Sequence, residues 1–386
     1  MRRTKGWRIL GLIMSMTIPP GSGLFAADPA SGNFYSGAGL DRVGHLRKDT
    51  GWLRQRLADP SSRVLPVWHG QSLIREADGG AGMEGSPEAV FLSAAEVAPL
   101  MATGAEVVLL GLDLTHGAEI GLEQGRGHRH EQTPEAPALF ALDLSQAEDP
   151  LAALGFRASV RTGDPDASGN RDAGFVADAR GLVRFRDLRA VGPLLSRHEG
   201  AVLGYARGML HWHGRHRFCG LCGSPTLSGE GGHVRICISP DCKSHHFPRT
   251  DPAVIMLVTD GDNVLLGRQK SWIKGTYSTL AGFVDPGESL EETVRREVME
   301  EAGVVVGEVV YHSSQPWPFP GSIMLGFEAR ALSREIRLQD AELEDARWFS
   351  RGWLLDRTDD DLFRLPRRDS IAHRLIRDWL TRSHSS

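Results

Sequence analysis

Residues 282 to 304 read GFVDPGESLEETVRREVMEEAGV, and seven of these twenty-three side chains are carboxylates. Ser289 to Ala302 consists of good helix formers, with Gly303 as a stop. Glu297, Glu300 and Glu301 fall at i, i+3 and i+4, so their carboxylates project from one face of the predicted helix. Acids gathered in this way repel one another at neutral pH unless a cation joins them. Hard oxygen ligands favour Mg2+ or Mn2+, which leave positions for water and for a phosphate. Arg296 falls on the neighbouring face, where it can pair with Glu288 and hold the preceding loop against the helix. A solvated acidic face would not account for the placement of Gly282, Glu288, Arg296 and Gly303.

A second set of ligand-type residues lies upstream. The chain has four cysteines, all within FCGLCGSPTLSGEGGHVRICISPDC, spaced Cys219-x2-Cys222 and Cys237-x4-Cys242. Two close thiolate pairs separated by a hairpin-length linker can close a tetrahedral zinc site, and Gly220, Gly223 and Pro240 allow the turns it needs. The competing reading is a pair of disulfides in a secreted protein. A closed four-thiolate site is structural, not catalytic. His211, His213, His216, His233, His245 and His246 lie close by and read as surface or packing residues, because four sulfurs complete the shell.

The chain has 386 residues and a formal net charge of −5, which gives no broad electrostatic case for nucleic-acid binding. Residues 1–32 form a leader or a misassigned start. A basic beginning and an apolar run from Ile9 to Ile18 look signal-like, but the run is too short to span a membrane. Ala26 and Ala27 could mark a cleavage site, although Leu24 and Phe25 spoil the pattern. The alternative is an upstream start codon with Met14 or Met16 as the true beginning. Cysteines grouped as metal ligands favour that alternative and a cytoplasmic location.

Several elements must position these groups. EVVLLGLDL reads as a strand, and GPLLSRHEGAVLGYARGMLHWH as a long amphipathic helix with Leu194, Leu195, Val202, Leu203 and Tyr205 at helical spacing. QGRGHRHEQTPEAP and RTGDPDASGNRDAG read as loops. After the cysteines, DPAVIMLVTDGDNVLLGRQ predicts a hairpin turning at Asp260–Asn263, and TYSTLAGFV a strand. VVVGEVVYHSS and SIMLGFEARAL predict strands around a proline-rich loop. SIAHRLIRDWLTR predicts a helix with Ile371, Leu375, Ile376 and Trp379 on one face. Strands flanking helices without a regular βαβ repeat indicate an α+β class with a mixed sheet between helices. No internal sequence repeat is visible.

Gly282-x5-Glu288-x7-Arg296-Glu297-Val298-x-Glu300-Glu301-x-Gly303-Val304 resembles the Nudix box, with every defined position filled. Eleven residues after Gly303 begins Ser314-Gln315-Pro316-Trp317-Pro318-Phe319-Pro320-Gly321-Ser322, which resembles the signature of the NADH pyrophosphatase branch. The cysteine cluster and FPRTDPAVI fit the same branch. The resemblance implies an N-terminal α/β NADH-pyrophosphatase-like domain at 33–205, a zinc ribbon at 214–247 and a Nudix fold at 248–386. It is strong from about residue 180 onward and looser before.

Carried over residue by residue, the resemblance makes Glu297, Glu300 and Glu301 ligands of Mg2+ or Mn2+, completed by the Ala281 carbonyl and Glu342. Arg296 and Glu288 complete the catalytic loop. Gln315, Pro316, Trp317, Pro318, Phe319, Pro320, Gly321 and Ser322 would line the substrate site, with Phe247 and Ala372 at its edge and Phe283 stacking on a ring. Trp317 and Phe319 offer flat surfaces for a base. Two departures stand out. Phe247 replaces the usual tyrosine, and Glu230 is a poor substitute for a substrate-contacting glutamate placed before the third cysteine.

The implied activity is metal-dependent hydrolysis of NADH or NAD+ to nicotinamide mononucleotide and AMP by a homodimer, with no membrane partner. NAD-capped RNA carries the same diphosphate between the same nucleosides. Its binding would need a basic surface, for which Arg215, Arg217, Arg249 and Arg268 are candidates. The alternatives are a broader ADP-ribose or nucleotide-sugar pyrophosphatase, and a zinc-ribbon RNA-binding module with an inactive Nudix fold.

Overall fold

The structure, a computed structural model, describes residues 32–76, 86–115, 136–156, 174–178, 181–338, 342–357 and 363–382. Most of both expected loop tracts, and the leader up to residue 31, lie outside the described residues. The chain divides into two compact units, Gly37–Arg249 and a second that joins residues up to Ser36 with Thr250–Ser386. Asn33 to Ser36 therefore group with the C-terminal region, not with the N-terminal domain in which they were expected.

In the Gly37–Arg249 unit, the strands are β1 (Leu40–Asp41), β2 (Arg63–Trp68), β3 (Gln71–Arg75), β4 (Glu88–Ala89), β5 (Val107–Asp113), β6 (Ala138–Asp143), β7 (Phe175–Asp178) and β8 (Gly181–Asp187). Among the described residues they form one mixed sheet in the order β1-β5-β6-β2-β3-β8-β7, with β4 on β3 and a parallel β2–β6 pair. The apolar run of β5 is buried almost throughout, as a run without polar alternation requires. Helices α1 (Thr50–Ala58), α2 (Ala94–Met101), α3 (Pro150–Ala153), α4 (Leu188–Val191) and α5 (Arg197–Arg215) accompany the sheet. The expected long helix is α5, but it starts later than its apolar spacing suggested. Ser196 caps it in a reciprocal box with Glu199, which leaves Leu194 and Leu195 outside. A small antiparallel sheet follows, β9 (Thr226–Gly229), β10 (Val234–Cys237) and β11 (His245–His246), in the order β11-β10-β9.

The second unit contains β12 (Asp251–Asp260), β13 (Asn263–Arg268), β14 (Leu280–Phe283), β15 (Val306–Trp317), β16 (Ser322–Ala331) and β17 (Asp345–Ser350). The order is β15-β16-β12-β13-β17 with β14 on β12, and β12 runs parallel to β16. The expected hairpin is present, with Asp260 opposite Asn263. Helix α6 (Leu290–Ala302) lays Val294, Val298 and Ala302 on the sheet core of Val254, Met256, Leu280 and Phe327. Short α7 (Arg351–Asp356) follows β17, and α8 (Ile371–Thr381) buries Ile371, Leu375, Ile376 and Trp379 as its apolar face predicts. One expectation is corrected: the proline-rich stretch is half strand. β15 continues through Gln315, Pro316 and Trp317, paired with Met324, Ile323 and Ser322, so the turn is confined to residues 318–321.

Candidate active site

The acidic helix is locked to the strand before it. Ser289 caps α6 in a reciprocal box with Glu292, and Gly303 ends it in the left-handed region at φ 69°. β14 lies antiparallel to β12, with Ala281 opposite Ile255 and Gly282 opposite Val254. A β-carbon on residue 282 would fall inside the Glu297 carboxylate. That approach is what presses Glu297 against the backbone of β14.

Arg296 organises the loop between them. Its Nε and Nη2 donate to both oxygens of Glu288, at 2.7 and 2.9 Å, and Nη2 also donates to the Phe283 carbonyl at 2.9 Å. Nη1 donates to Glu297 at 2.8 Å and to Glu300 at 3.0 Å. The fork geometry of a guanidinium is suited to such multiple acceptance, and the expected Arg296–Glu288 pair is present. Beside it, the Glu288 carboxyl is held down at about 2, first by Arg296 and also by Thr293 and the Asp285 amide. Glu297 moves the other way. Burial pushes its carboxyl up to about 7, the charges of Glu300 and Glu342 add to this, and Arg296 opposes it.

Glu301 is 1% exposed, whereas Glu300 and Glu342 reach the surface. Glu342 accepts from Gln269 Nε2 at 3.2 Å. Its segment is moored to the end of β13 by the Arg268–Glu344 pair at 3.0 Å and by the Glu344 amide on the Arg268 carbonyl at 2.9 Å. Among the described residues these glutamates do not form as tight a ligand group as the cysteines. Gln269 was not among the sequence expectations. Nothing in a lone buried glutamine signals such a contact.

The 314–322 segment departs from expectation in chemistry as well as shape. Strand alternation turns Gln315 and Trp317 inward and Pro316 outward. Trp317 and Phe319, expected to present open faces, are 4% and 3% exposed and pack edge-on against each other and Tyr35. Gln315 spends its amide within the chain: Nε2 donates to the carbonyls of Phe34 and Asp369, and Oε1 accepts from the Ile371 amide. Ser322 and Pro318 are buried, while Pro316, Pro320 and Gly321 retain exposure. Ala372 is buried in the first turn of α8, and Phe283 is half-buried. Phe247 is exposed and belongs to the Gly37–Arg249 unit.

In that unit, the four cysteine sulfurs lie within 4.8 Å of one another. Four thiols converging so closely fit a tetrahedral zinc ion, which Cys219, Cys222, Cys237 and Cys242 would hold. Ser244 Oγ lies 3.0 Å from Cys219 Sγ and 3.3 Å from Cys242 Sγ, and it is the first cause of the lowering of the Cys219 thiol to about 5. His246 Nε2 is 3.3 Å from Cys219 Sγ. Buried His213 and half-buried His233 are packing residues. His213 Nε2 donates to the Gly232 carbonyl while Nδ1 accepts from Arg235, and His233 Nε2 donates to the Leu109 carbonyl. Glu230 pairs with Lys48 at 3.5 Å. Of the arginines expected to form a basic surface, Arg215, Arg217 and Arg249 are exposed, whereas Arg268 is committed to Glu344.

Family models match in sequence order: an NADH pyrophosphatase-like rudimentary NUDIX domain at 61–212, an NADH pyrophosphatase zinc ribbon domain at 215–247, and a NUDIX domain at 249–368. Human "NAD-capped RNA hydrolase NUDT12" is 47% identical over 197 residues, 48% of this chain and 43% of that protein. "Nudix hydrolase 19, chloroplastic" of Arabidopsis thaliana is 38% identical over 301 residues, 76% of this chain and 61% of that protein. "NAD-capped RNA hydrolase NudC" of Stutzerimonas stutzeri is 46% identical over 203 residues, 53% of this chain and 68% of that protein. The chain thus spans less than half the length of the human relative and about two thirds of the bacterial one. Matched by a relative at this identity and coverage, and by these domains in order, the chain belongs to the NADH pyrophosphatase branch of the Nudix hydrolases.

Proposed function

We propose that the protein hydrolyses the diphosphate of NADH or NAD+ to nicotinamide mononucleotide and AMP, and that the same site removes NAD caps from RNA 5′ ends. The observation that carries this reading is the part-buried Glu297 carboxylate, seated on Gly282 and oriented by an Arg296 that Glu288 holds in place. Its family membership and the names of its relatives support the substrate.

Glu297, Glu300, Glu301 and Glu342, with the Ala281 carbonyl, would hold Mg2+ or Mn2+. The donor set fits, because Glu297 is crowded by burial and by like charge, which a cation relieves. When bound, such a metal supplies polarisation of phosphoryl oxygens and activation of water. Arg296 keeps the Glu297 and Glu300 carboxylates aimed together. A glutamate of this set, or a water bridged to one, takes the proton from the attacking water as the P–O bond of the diphosphate breaks. Pro316, Pro320 and Gly321, which retain exposure, would contact the nucleosides together with Phe283.

The zinc is structural. The protein acts as a homodimer in the cytoplasm: the family implies the dimer, and exposed Phe218, Leu221, Leu227 and Ile238 on the ribbon support it. The zinc-type use of all four cysteines supports a reducing compartment. Among the described residues no helix is long and apolar enough to cross a membrane. Light scattering on the purified protein tests the dimer.

The activity test incubates the protein with NADH and either Mg2+ or Mn2+ and resolves the products by chromatography, beside Glu301→Gln. Equimolar reduced nicotinamide mononucleotide and AMP, lost in the variant while fold and zinc content persist, is the expected result. NAD-capped RNA is then assayed in the same way. No product with either metal would overturn the reading, as would a Glu301→Gln protein that keeps most of its activity.

A further inference from the structure

Asn33 to Ser36 precede the whole Gly37–Arg249 unit in sequence, yet they fold with the C-terminal unit. Asn33 Nδ2 donates to Ser313 Oγ at 3.0 Å and to the Ser314 carbonyl at 2.7 Å, and its Oδ1 accepts from Arg374 at 3.3 Å. The Phe34 carbonyl accepts from Gln315 Nε2 at 3.1 Å. Tyr35 sets its ring edge-on to Trp317 and Phe319 and donates its hydroxyl to Asp369 Oδ2 at 3.0 Å.

The circuit closes on itself. Asp369 is gripped by the Arg367 guanidinium at 2.9 and 2.8 Å, and its carbonyl accepts from Gln315 Nε2 at 2.8 Å. Gln315 Oε1 then accepts from the Ile371 amide at 2.7 Å, at the first residue of α8. Asn33, Tyr35, Gln315 and Asp369 are all buried, so these bonds are shielded from water. Tyr35 holds φ 61°, a left-handed conformation that a non-glycine residue keeps only where its surroundings impose it.

We infer that Tyr35 is a positioning residue for the substrate hairpin: residues 33–36 are a strap that ties residues 313–319 to the start of α8. The inference rests on the proposed function only for what the hairpin touches. The strap has no contact among these bonds with Glu297, Glu300 or Glu301. Its loss should loosen the hairpin and weaken substrate binding while leaving the carboxylates of α6 in place.

The test compares full-length wild type with Tyr35→Ala, Tyr35→Phe and Asn33→Ala by two readouts. One is amide hydrogen exchange in peptides covering 313–323 and 290–302. The other is steady-state hydrolysis of NADH with Mg2+. In Tyr35→Ala, exchange at 313–323 should rise about tenfold while 290–302 changes little, and KM should rise about tenfold with kcat within about twofold. Tyr35→Phe, which keeps the ring, should fall between that variant and wild type. Wild-type exchange at 313–323 in Tyr35→Ala overturns the inference, and so does acceleration no greater there than in α6. Should Tyr35→Ala fail to fold, Asn33→Ala and Tyr35→Phe decide by the same comparison. A wild type inert towards NADH would sink the substrate reading, and exchange would still decide on the strap. An active wild type with unchanged exchange in the variants would sink the strap alone.

Discussion

Gly282 and Glu297 share one space: the carboxylate of Glu297 occupies the volume that a β-carbon on residue 282 would fill. The glycine is there for room, since its backbone does not lie in the left-handed region. The close approach strips water from the carboxylate, and burial is the first cause of its raised pKa of about 7. It also brings Glu297 to the residue after Ala281, whose carbonyl is expected to join the metal shell.

Gly282→Ala should therefore displace Glu297. Forced overpacking of this kind costs about 1–3 kcal/mol. Hydrolysis should fall by about a hundredfold or more, because the displaced group is oriented for the chemistry. Glu297→Ala removes the colliding atoms, so the double variant should be less destabilised than the sum of the singles. Urea unfolding of the four proteins checks this, and simple additivity would mean that the two residues do not share the space.

Arg296→Lys replaces a five-donor fork with a single ammonium. It cannot satisfy Glu288, Glu297, Glu300 and the Phe283 carbonyl together. Stability should drop by about 1–2 kcal/mol, and kcat by about tenfold or more. Glu288→Gln should show a related loss, and a double-mutant cycle should return a coupling on the order of 1 kcal/mol. Near-zero coupling would show that the two act independently.

Zinc content offers a prediction independent of turnover. Metal analysis should find about one zinc per chain, as a four-thiolate site implies. Cys222→Ser should bind far less and lose thermal stability, because metal binding to such sites contributes directly to folding. The loss should reach into the N-terminal sheet, since Arg235 of β10 donates to Glu106 at 2.9 Å, just ahead of β5. Full stability with no metal would overturn the structural assignment.

The chemistry was far more legible than the scaffold around it. Glu297, Glu300, Glu301, Arg296 and the four cysteines could be read because helical periodicity and short ligand spacings are local. The reason for Gly282 could not, since it depends on how closely α6 approaches β14. The prolines of the 314–322 stretch read as loop, yet Pro316 lies on β15, at the end of its sheet among the described residues, where a missing N–H is tolerated. The Tyr35–Asp369 bond spans 334 positions and has no sequence signal. The N-terminal domain was legible only through the looser resemblance, and the match at 61–212 adds its rudimentary Nudix character.

His233 donates from Nε2 to the Leu109 carbonyl, and burial pushes its pKa down to about 4, aided by the charges of Arg47, Arg42 and His213. An unfolded histidine titrates near 6.5, so between these values the unfolded chain holds a proton that the folded chain does not. Its contribution is complete above about pH 6.5 and is lost as pH falls towards 4, on the order of 3 kcal/mol in all. His213, also lowered by burial, acts in the same direction. His233→Gln keeps a donor for Leu109 and removes the titration. Its urea midpoint should fall less steeply than that of wild type from pH 6.5 to 4. Acid loss of zinc affects both proteins alike, so the difference between the two curves isolates His233. Parallel curves would mean that the imidazole is protonated in place and that the buried contact with Leu109 survives its charging.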